Sequence, residues 1–481
     1  MIRTNPSFIV ELEKKIIKKE FNINDIEKKF DFIKKNYTSK IISVNLTDLY
    51  SILILRYNVG YYRYALNFFF LISGYIKLAF VNKFTKKKKY SVSNLIIFSK
   101  HKYVDQFNFS ETSNFLLKKN KKHLVVLSHT KDDFKRISRL YQSKNIVNLR
   151  NFLNFSGIIK SIIRFSFQLS TINKIISVLN CKKLRFEVYQ LFFVFFIKSE
   201  MWSNLIKENK IKKMFLTNFL GDTALIYLNK IKNKKIEFIG YGIHGVDAIS
   251  SRYVYHNLDK FLVLGKTDIQ IMEETKKIKL RFMSLPKKTL IVGSTRHDYF
   301  FKKLSIKKKE KNSFKILYIK SNPFYLDGLD DKAFILFSKM MKKFKEIKYT
   351  IKDREKFLSP TIQKLIDKRI IKKRYIEKSG PIEESICNVD LCVGTNSTAL
   401  LRQAIFLNKP IIQLYAKEHF MWDTSKTLTS VNNEKQIFFL IKKLSSDKKF
   451  YNKYFNMNKK MKKNILSNEL KANKKIYEIL K

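Results

Sequence analysis

The chain has 481 residues, of which 97 are Lys or Arg and 40 are Asp or Glu, so its formal net charge is +57. This length predicts two domains, and a hydrophobic content of 45% is enough to build their cores. Such a charge attracts nucleic acid or anionic membranes, but no zinc-finger or RNA-recognition motif accompanies it, and the abundance of Lys, Ile and Asn is typical of A/T-rich coding sequences. No specific nucleic-acid partner is therefore expected.

The three cysteines are Cys181, Cys387 and Cys392, and their spacing fits neither a disulfide framework nor a metal site. The first twenty residues carry charges throughout and contain no signal-peptide core. These features predict a protein of the reducing cytoplasm, in which the cysteines bind no metal. No cofactor is expected.

Residues 1–90 are predicted to form a helical N-terminal extension, which contains the apolar segment Tyr64–Val81. Lys77 interrupts this segment, Arg63 precedes it and the basic run Lys86–Lys89 follows it, so a full membrane span is the weakest interpretation. A buried core helix and peripheral attachment to an anionic leaflet remain open, and the same alternatives hold for the second apolar run, Phe186–Ile197.

Beyond residue 90, short apolar runs of strand length alternate with helix-length amphipathic stretches. This pattern predicts parallel sheets, whose ligand-binding loops follow the carboxyl ends of the strands. The pattern restarts after a Lys-rich linker near residue 305, so we expect an α/β fold with two Rossmann-like domains facing a cleft. The predicted limits are 91–300 for the first domain, 313–445 for the second and 446–481 for C-terminal basic helices.

The clearest candidate site is the turn in "VDLCVGTNSTALL", where an apolar strand ends and an apolar-periodic helix follows. Gly394 allows a tight turn, and Thr395, Asn396, Ser397 and Thr398 offer hydroxyl and amide groups at the helix start. A helix N-terminus at the carboxyl edge of a sheet favours a diphosphate. Plain capping of the helix is the alternative.

A second candidate lies in "GYGIHGVDA", in which His244 follows a predicted strand. Histidine titrates near neutral pH, so His244 is expected to accept a proton from an attacking hydroxyl or to bind a phosphate. Asp247 is a candidate to orient that imidazole or to act as the base itself. The alternative is a histidine satisfied by backbone groups at a turn.

Three cations follow predicted strands and suit phosphate groups: Arg296, Lys352 and Arg354. The last two also fit an exposed run of charges. Asp298 is expected to cap the helix that follows Arg296, and the neighbouring His297 has no evident partner.

The acidic residues Asp327, Asp330 and Asp331 follow the next strand, at the start of the second set of runs. Acids scattered in such a loop are usually solvated. We therefore expect these three carboxylates to face water.

Together these stretches resemble the GT-B glycosyltransferase superfamily, near the branch of CDP-glycerol glycerophosphotransferases and related capsule and surface-polysaccharide transferases. The resemblance covers roughly Phe215 to Leu444. It rests on "IHGVDA", on "FLVLGKTD" with "LIVGSTRHDYF", and on "VDLCVGTNSTALLRQAIFLNKPII", in that order.

The resemblance implies that His244 is the base or a phosphate ligand and that Ser397 and Thr398 hold the donor diphosphate. Gln403 stands where many members have a ribose-binding Glu, which implies a nucleotide contact for it. The chain departs from the family where Ile243 replaces a Gln, where Asn408 replaces a Gly, and where a Lys-x-His-Pro motif is lost.

The resemblance therefore implies a metal-independent transferase that moves a sugar, or a polyol phosphate, from a nucleotide-activated donor to a growing cell-surface glycan. The expected acceptor is a glycan or is lipid-linked, and the expected location is the cytoplasm, peripheral on the inner face of the cell membrane. Two alternatives remain open. One is a non-catalytic, membrane-docked glycan assembly or export protein, to which the departures give weight, and the other is a nucleotide-sugar epimerase of similar two-domain architecture.

Overall fold

A computed structural model provides the coordinates, and every structural statement below concerns the residues that it describes. These are residues 28–29, 32, 36, 61–84, 95–99, 110–128, 131–141, 145–179, 185–207, 211–216, 236–242, 258–270, 286–304, 313–320, 329–344, 346–353, 360–377, 380–395, 399–415 and 430–481.

The first domain contains a seven-stranded sheet in which every strand pairing is parallel. The strand order is β3-β2-β1-β4-β5-β6-β7, so the connections change direction between β1 and β4. Its central strands are almost wholly apolar and buried, as expected for a parallel sheet with both faces covered. The strands are β1 (Leu95–Ser99), β2 (Leu124–Leu127), β3 (Ile146–Asn148), β4 (Lys213–Leu216), β5 (Glu237–Tyr241), β6 (Lys260–Val263) and β7 (Lys288–Ile291).

The second domain contains a five-stranded parallel sheet with its own core. The strand order is β12-β11-β10-β8-β9, which places the change of direction between β8 and β10. The strands are β8 (Lys315–Ile319), β9 (Lys348–Lys352), β10 (Leu391–Gly394), β11 (Ile411–Leu414) and β12 (Ser430–Val431).

Helices cover the two sheets, and side chains at their starts satisfy amide groups that have no partner within the helix. Asn154, Asn433 and Asp447 each accept a hydrogen bond from an amide three residues ahead. The α-helices are α1 (Tyr61–Phe84), α2 (Ser110–Lys119), α3 (Lys131–Ser138), α4 (Phe155–Val178), α5 (Arg185–Lys207), α6 (Thr295–Leu304), α7 (Leu329–Met341), α8 (Pro360–Asp367), α9 (Ile382–Cys387), α10 (Ala399–Phe406), α11 (Glu434–Ser446), α12 (Lys448–Ile465) and α13 (Ala472–Leu480).

The two apolar segments noted in the sequence differ in burial. The run Phe186–Ile197 lies in α5, most of whose side chains are buried in the first core, so it is a core helix. The segment Tyr64–Val81 lies in α1, where Phe68 and Ala79 pack inward while Phe69 and Phe70 face solvent. None of the described helices is both long enough and apolar enough to cross a bilayer.

The chain returns to the first domain after α12. Gly293, with a φ of +92°, lies against this returning segment, and a Cβ there would come within 2.4 Å of the Ser467 carbonyl oxygen. The Asp298 carboxylate accepts the amides of Leu470, at 2.7 Å, and of Ala472, at 2.9 Å. Asp298 therefore holds the start of α13 rather than capping its own helix.

The arrangement confirms the predicted fold class. The protein is an α/β protein with two Rossmann-like domains and additional N-terminal helical structure, of which α1 is described. The exact domain limits given above stay predictions.

Candidate functional site

The second sheet has its topological switch point between β8 and β10, whose connections leave in opposite directions. Ligands of open α/β sheets bind outside the carboxyl ends of the strands at such a point. Lys320 directly follows β8, while Gly394 ends β10 and precedes Thr395. A Cβ at Gly394 would lie 2.8 Å from the Ile319 carbonyl oxygen, so a larger residue would push the two strand ends apart.

A buried polar network joins these two strand ends. The Lys320 ammonium lies 3.1 Å from Asp330 Oδ2 and 2.9 Å from Asp331 Oδ1, and the Thr395 hydroxyl donates to Asp330 Oδ1 at 3.0 Å. The side chains of Lys320 and Asp330 are fully buried. The expectation that these acids are solvated is therefore wrong for Asp330, which orders both strand ends through the first turn of α7.

Lys320 keeps its positive charge in this network. Burial alone lowers the pKa of its ammonium group, but the charges of Asp330 and Asp331 and their hydrogen bonds raise that pKa above its ordinary value. Sequence reasoning missed Lys320, although a lysine directly after a buried apolar strand was a visible signal. The network thus fixes a buried ammonium group at the switch point, where two carboxylates balance its charge.

Lys352 ends β9 and therefore lies at the same carboxyl edge of the sheet. Its ammonium lies 3.6 Å from Glu377 Oε2, and the same Glu377 oxygen accepts a hydrogen bond from the Ser385 hydroxyl. Phosphate binding by Lys352 stays a prediction, to which the structure adds Glu377 as an ionic neighbour.

Gln403 lies in α10, the helix that begins after the β10 turn, and its side chain is buried. Within the described part of the chain, its Oε1 atom accepts no hydrogen bond. A buried acceptor without a donor costs about 1–3 kcal/mol, and a polar ligand group would remove that cost. Nucleotide binding by Gln403 stays a prediction, to which the structure adds a buried acceptor without a donor among the described residues.

Several predicted site residues fall outside the described residues, so the structure does not test them. Of the predicted site residues that the structure describes, Gly394 and Thr395 lie at the Lys320 network, and Lys352 lies at the same carboxyl edge of the second sheet. The residues outside are His244, Asp247, Arg354, Asn396, Ser397 and Thr398.

Arg296 crosses from α6 to the second domain. Its Nε and Nη2 atoms donate to the two carboxylate oxygens of Glu383, the latter at 2.9 Å, and both side chains are almost fully buried. A phosphate contact by Arg296, which remains a prediction, would require this bidentate pair to open.

A second buried ion pair crosses the domain interface near the candidate site. The Arg402 Nη2 atom of α10 donates to Asp268 Oδ1 at 2.9 Å. Both side chains are at most 1% exposed. Asp268 Oδ2 also accepts the amides of Leu264, at 2.8 Å, and Gly265, at 3.3 Å. The helix that starts at the candidate site is therefore anchored to the first domain.

His297, which had no evident partner in the sequence, lies buried at this interface. Its Nε2 atom is 3.0 Å from Glu469 Oε1, and the Lys462 ammonium contacts the same oxygen at 2.6 Å. Burial is the main cause that lowers the pKa of His297, and Lys462 lowers it further, while Glu469 and Glu383 oppose the change.

This lowered pKa predicts a pH dependence of stability. As the pH falls, His297 is protonated at a higher pH in the unfolded chain than in the folded protein. The stability contributed by the neutral imidazole is therefore present above pH ~6.5 and is lost as the pH falls. We expect the free energy of unfolding to fall by up to about 1.4 kcal/mol per pH unit below that point. Urea titrations between neutral and mildly acidic pH, compared with His297→Asn, measure this slope, and an equal slope in both proteins would contradict the assignment.

No family model and no curated protein sequence matches the chain. Solved structures do resemble it. UDP-GlcNAc 2-epimerase from Neisseria meningitidis, bound to UDP-GlcNAc, has 13% identity and a TM-score of 0.50 over 80% of this chain and 98% of that chain. S. aureus MnaA with UDP has 11% identity and a TM-score of 0.48 over 80% and 95%. A glycosyltransferase from Rickettsia africae has 12% identity and a TM-score of 0.43 over 82% and 100%. The likeness to the Neisseria meningitidis enzyme shows a shared GT-B-like fold.

Proposed function

We propose that this protein transfers a sugar, or a polyol phosphate, from a nucleotide-activated donor to a growing cell-surface glycan. The observation that carries the proposal is the switch point of the second sheet. There, Gly394 and Thr395 at the end of β10 precede the N-terminus of α10, the Lys320–Asp330 network fixes the two strand ends, and the buried Gln403 lies within the helix. This combination suits the diphosphate and sugar hydroxyls of a nucleotide.

The proposed mechanism needs no metal ion, because a helix N-terminus and side-chain cations neutralise the leaving diphosphate. In it, the turn from Gly394 to Thr398 holds the donor phosphates, with Lys352 and Arg354 nearby. His244 removes the proton from the acceptor hydroxyl, and Asp247 orients the imidazole. These roles rest on the sequence resemblance and on strand-end positions.

The donor nucleotide is proposed to be a uridine diphosphate in the first instance. The Neisseria meningitidis enzyme that shares the fold is bound to UDP-GlcNAc. Gln403 takes the place of a ribose-binding Glu in the resembling family, and its buried oxygen suits a ribose hydroxyl. A cytidine diphosphate donor, as in the CDP-glycerol branch, is the alternative donor.

An epimerase is the second candidate function, and it is favoured by that same structural neighbour, a UDP-GlcNAc 2-epimerase. The two candidates differ in their need for an acceptor. An epimerase converts UDP-GlcNAc in the absence of any acceptor, whereas a transferase releases UDP only as sugar is transferred. Chromatography of the products with and without a glycan acceptor separates the two.

A non-catalytic assembly protein of a glycan export system is the third candidate, because Gln403 replaces a Glu and the second family histidine is lost. For the transferase, attachment to the inner face of the membrane and a lipid-linked acceptor are part of the proposal. Thermal unfolding with UDP-, CDP- and GDP-linked sugars tests the nucleotide step. Stabilisation by none of them would favour the assembly protein.

Gln403→Leu distinguishes a ligand-binding glutamine from a structural one. Because Gln403 Oε1 accepts no hydrogen bond among the described residues, the leucine variant should unfold at the same or a higher temperature without ligand. We expect its affinity for the nucleotide to fall about tenfold, the value of one lost hydrogen bond. Calorimetric titration with UDP measures this.

Gln363→Leu, the same substitution at an exposed position on α8, is the matched control and should change neither quantity. Equal UDP affinity in wild type and Gln403→Leu would remove Gln403 from the site.

A further inference from the structure

Exposed apolar side chains are concentrated on two helices of the first domain. Of the sixteen exposed large hydrophobic side chains among the described residues, twelve lie on α1 and α4. Monomeric proteins rarely expose a large contiguous apolar surface unless it binds something. The twelve side chains, called here the α1–α4 face, are Leu66, Phe69, Phe70, Ile76, Phe80, Val81, Phe84, Phe155, Ile159, Ile162, Ile163 and Phe167.

The two rows lie side by side and form one surface. Phe68 contacts Phe165 at 6.0 Å and Phe80 contacts Phe155 at 6.4 Å between ring centroids, so α1 and α4 run antiparallel. At 3.6 residues per turn, the exposed apolar residues of each helix fall on one side, away from the buried side chains. Phe167 is 80% exposed, the highest value among these twelve.

The charged side chains of α1 and α4 are all basic. Neither 24-residue helix contains an Asp or a Glu. Exposed basic side chains accompany the apolar rows on both helices, at Lys77 and Lys83 on α1 and at Lys160, Arg164 and Lys174 on α4. Glu200 of α5 pairs with Arg164. An apolar face bordered by cations is the pattern of a helix that lies in the interface of an anionic bilayer.

We propose that the α1–α4 face is the membrane-docking surface of this protein and that its partner is an anionic lipid bilayer. Each helix lies in the membrane plane, with its apolar row among the acyl chains and its lysines at the lipid phosphates. A second copy of the chain is a poorer partner. In a symmetric dimer through this face, the lysines of both copies meet and neither helix supplies an acid.

The docking surface begins at the edge of the first sheet where the acceptor site is proposed. β3 ends at Asn148, and Asn154 caps α4 only six residues later, so Phe155 lies close to the carboxyl edge of the sheet. The Asn82 amide donates to the carbonyl oxygens of Arg150 and Leu153, at 2.9 and 2.8 Å, and holds α1 there as well.

Because the sheet is parallel, β5, which precedes His244, ends at the same edge. This part of the inference rests on the proposed function. A docked protein presents its acceptor side to the bilayer, which suits a lipid-linked acceptor.

Co-sedimentation of the full chain with vesicles tests the docking. We expect binding to vesicles of phosphatidylcholine with phosphatidylglycerol and much weaker binding to phosphatidylcholine alone. Phe70→Ser with Phe167→Ser should weaken partitioning by at least about tenfold. Phe439→Ser, which removes an aromatic side chain of 54% exposure on α11, is the matched control and should leave partitioning unchanged.

A second variant tests the charge independently. Replacing Lys77 and Lys160 by Gln should weaken binding to the anionic vesicles about fivefold for each cation, and added salt should reduce this difference. No sedimentation of the folded wild type with anionic vesicles would overturn the docking proposal. So would equal sedimentation of the double Phe variant and the control, or a dimer in light scattering that the double Phe variant dissociates.

Nucleotide binding, measured on the same preparations by thermal unfolding with UDP, separates the two proposals. Vesicle binding without nucleotide binding would contradict the proposed function and leave the docking surface supported. Nucleotide binding without vesicle binding would contradict the docking proposal and leave the proposed function supported.

Discussion

Asp268→Ala is expected to lower the free energy of unfolding by about 3–5 kcal/mol, because it breaks a buried ion pair from one side. The substitution leaves the Arg402 guanidinium buried without its carboxylate. It also leaves the Leu264 and Gly265 amides without their acceptor, whereas Arg402→Met leaves both amides paired. The aspartate variant should therefore lose more stability than the arginine variant.

Urea denaturation of the two variants and of the wild type measures the difference. Glu384→Ala is the control, because Glu384 pairs with Lys303 at 3.2 Å across the same interface but both side chains are exposed. An exposed pair contributes about 0–1 kcal/mol. Losses of the same size for Asp268→Ala and Glu384→Ala would show that the buried pair does not hold the domains together.

His244→Ala is expected to reduce donor turnover about 10²–10⁴-fold, the usual contribution of a general base. Nucleotide affinity should change little, since His244 follows β5 of the first domain while the proposed nucleotide site follows β8 and β10 of the second. The measurement is release of UDP from UDP-GlcNAc, or from whichever nucleotide-linked sugar stabilises the protein most, in the presence of a glycan acceptor.

His297→Asn serves as the control for this measurement, because it removes a buried imidazole that pairs with Glu469. It should alter the pH dependence of stability and leave turnover per folded molecule unchanged. Unchanged turnover in His244→Ala would reject His244 as the base. Loss of UDP affinity together with turnover would instead indicate a phosphate ligand.

The architecture followed from the sequence because each parallel strand is a short apolar run that both faces of the sheet bury. Val393 and Gly394 illustrate this, since the apolar run ends where the structure ends β10. The restart of the pattern at Phe314 likewise indicated the second sheet. Amphipathic spacing could not separate the two sides of α1, because apolar residues cover both, and only burial shows which side packs inward.

The polar interior could not be predicted, because its partners are far apart in the chain. Arg296 and Glu383 are 87 positions apart, and Arg402 and Asp268 are 134 apart. An arginine near a strand end has the same local sequence whether it meets a phosphate or a carboxylate from another domain. Lys320 and Asp330 are only 10 positions apart, yet no periodicity in the sequence relates them.

The packing of α13 on the first domain affects how the protein is made. α13 packs on α2, with Phe115 and Tyr477 in ring contact at 6.5 Å, and the Lys213 ammonium on β4 donates to the Leu480 carbonyl oxygen at 3.1 Å. The ribosome therefore makes the sheet of the first domain long before the helix α13 that packs on it. Until residues 472–480 have left the exit tunnel, the side of the first domain that α13 covers stays exposed, which makes nascent chains a target for chaperones.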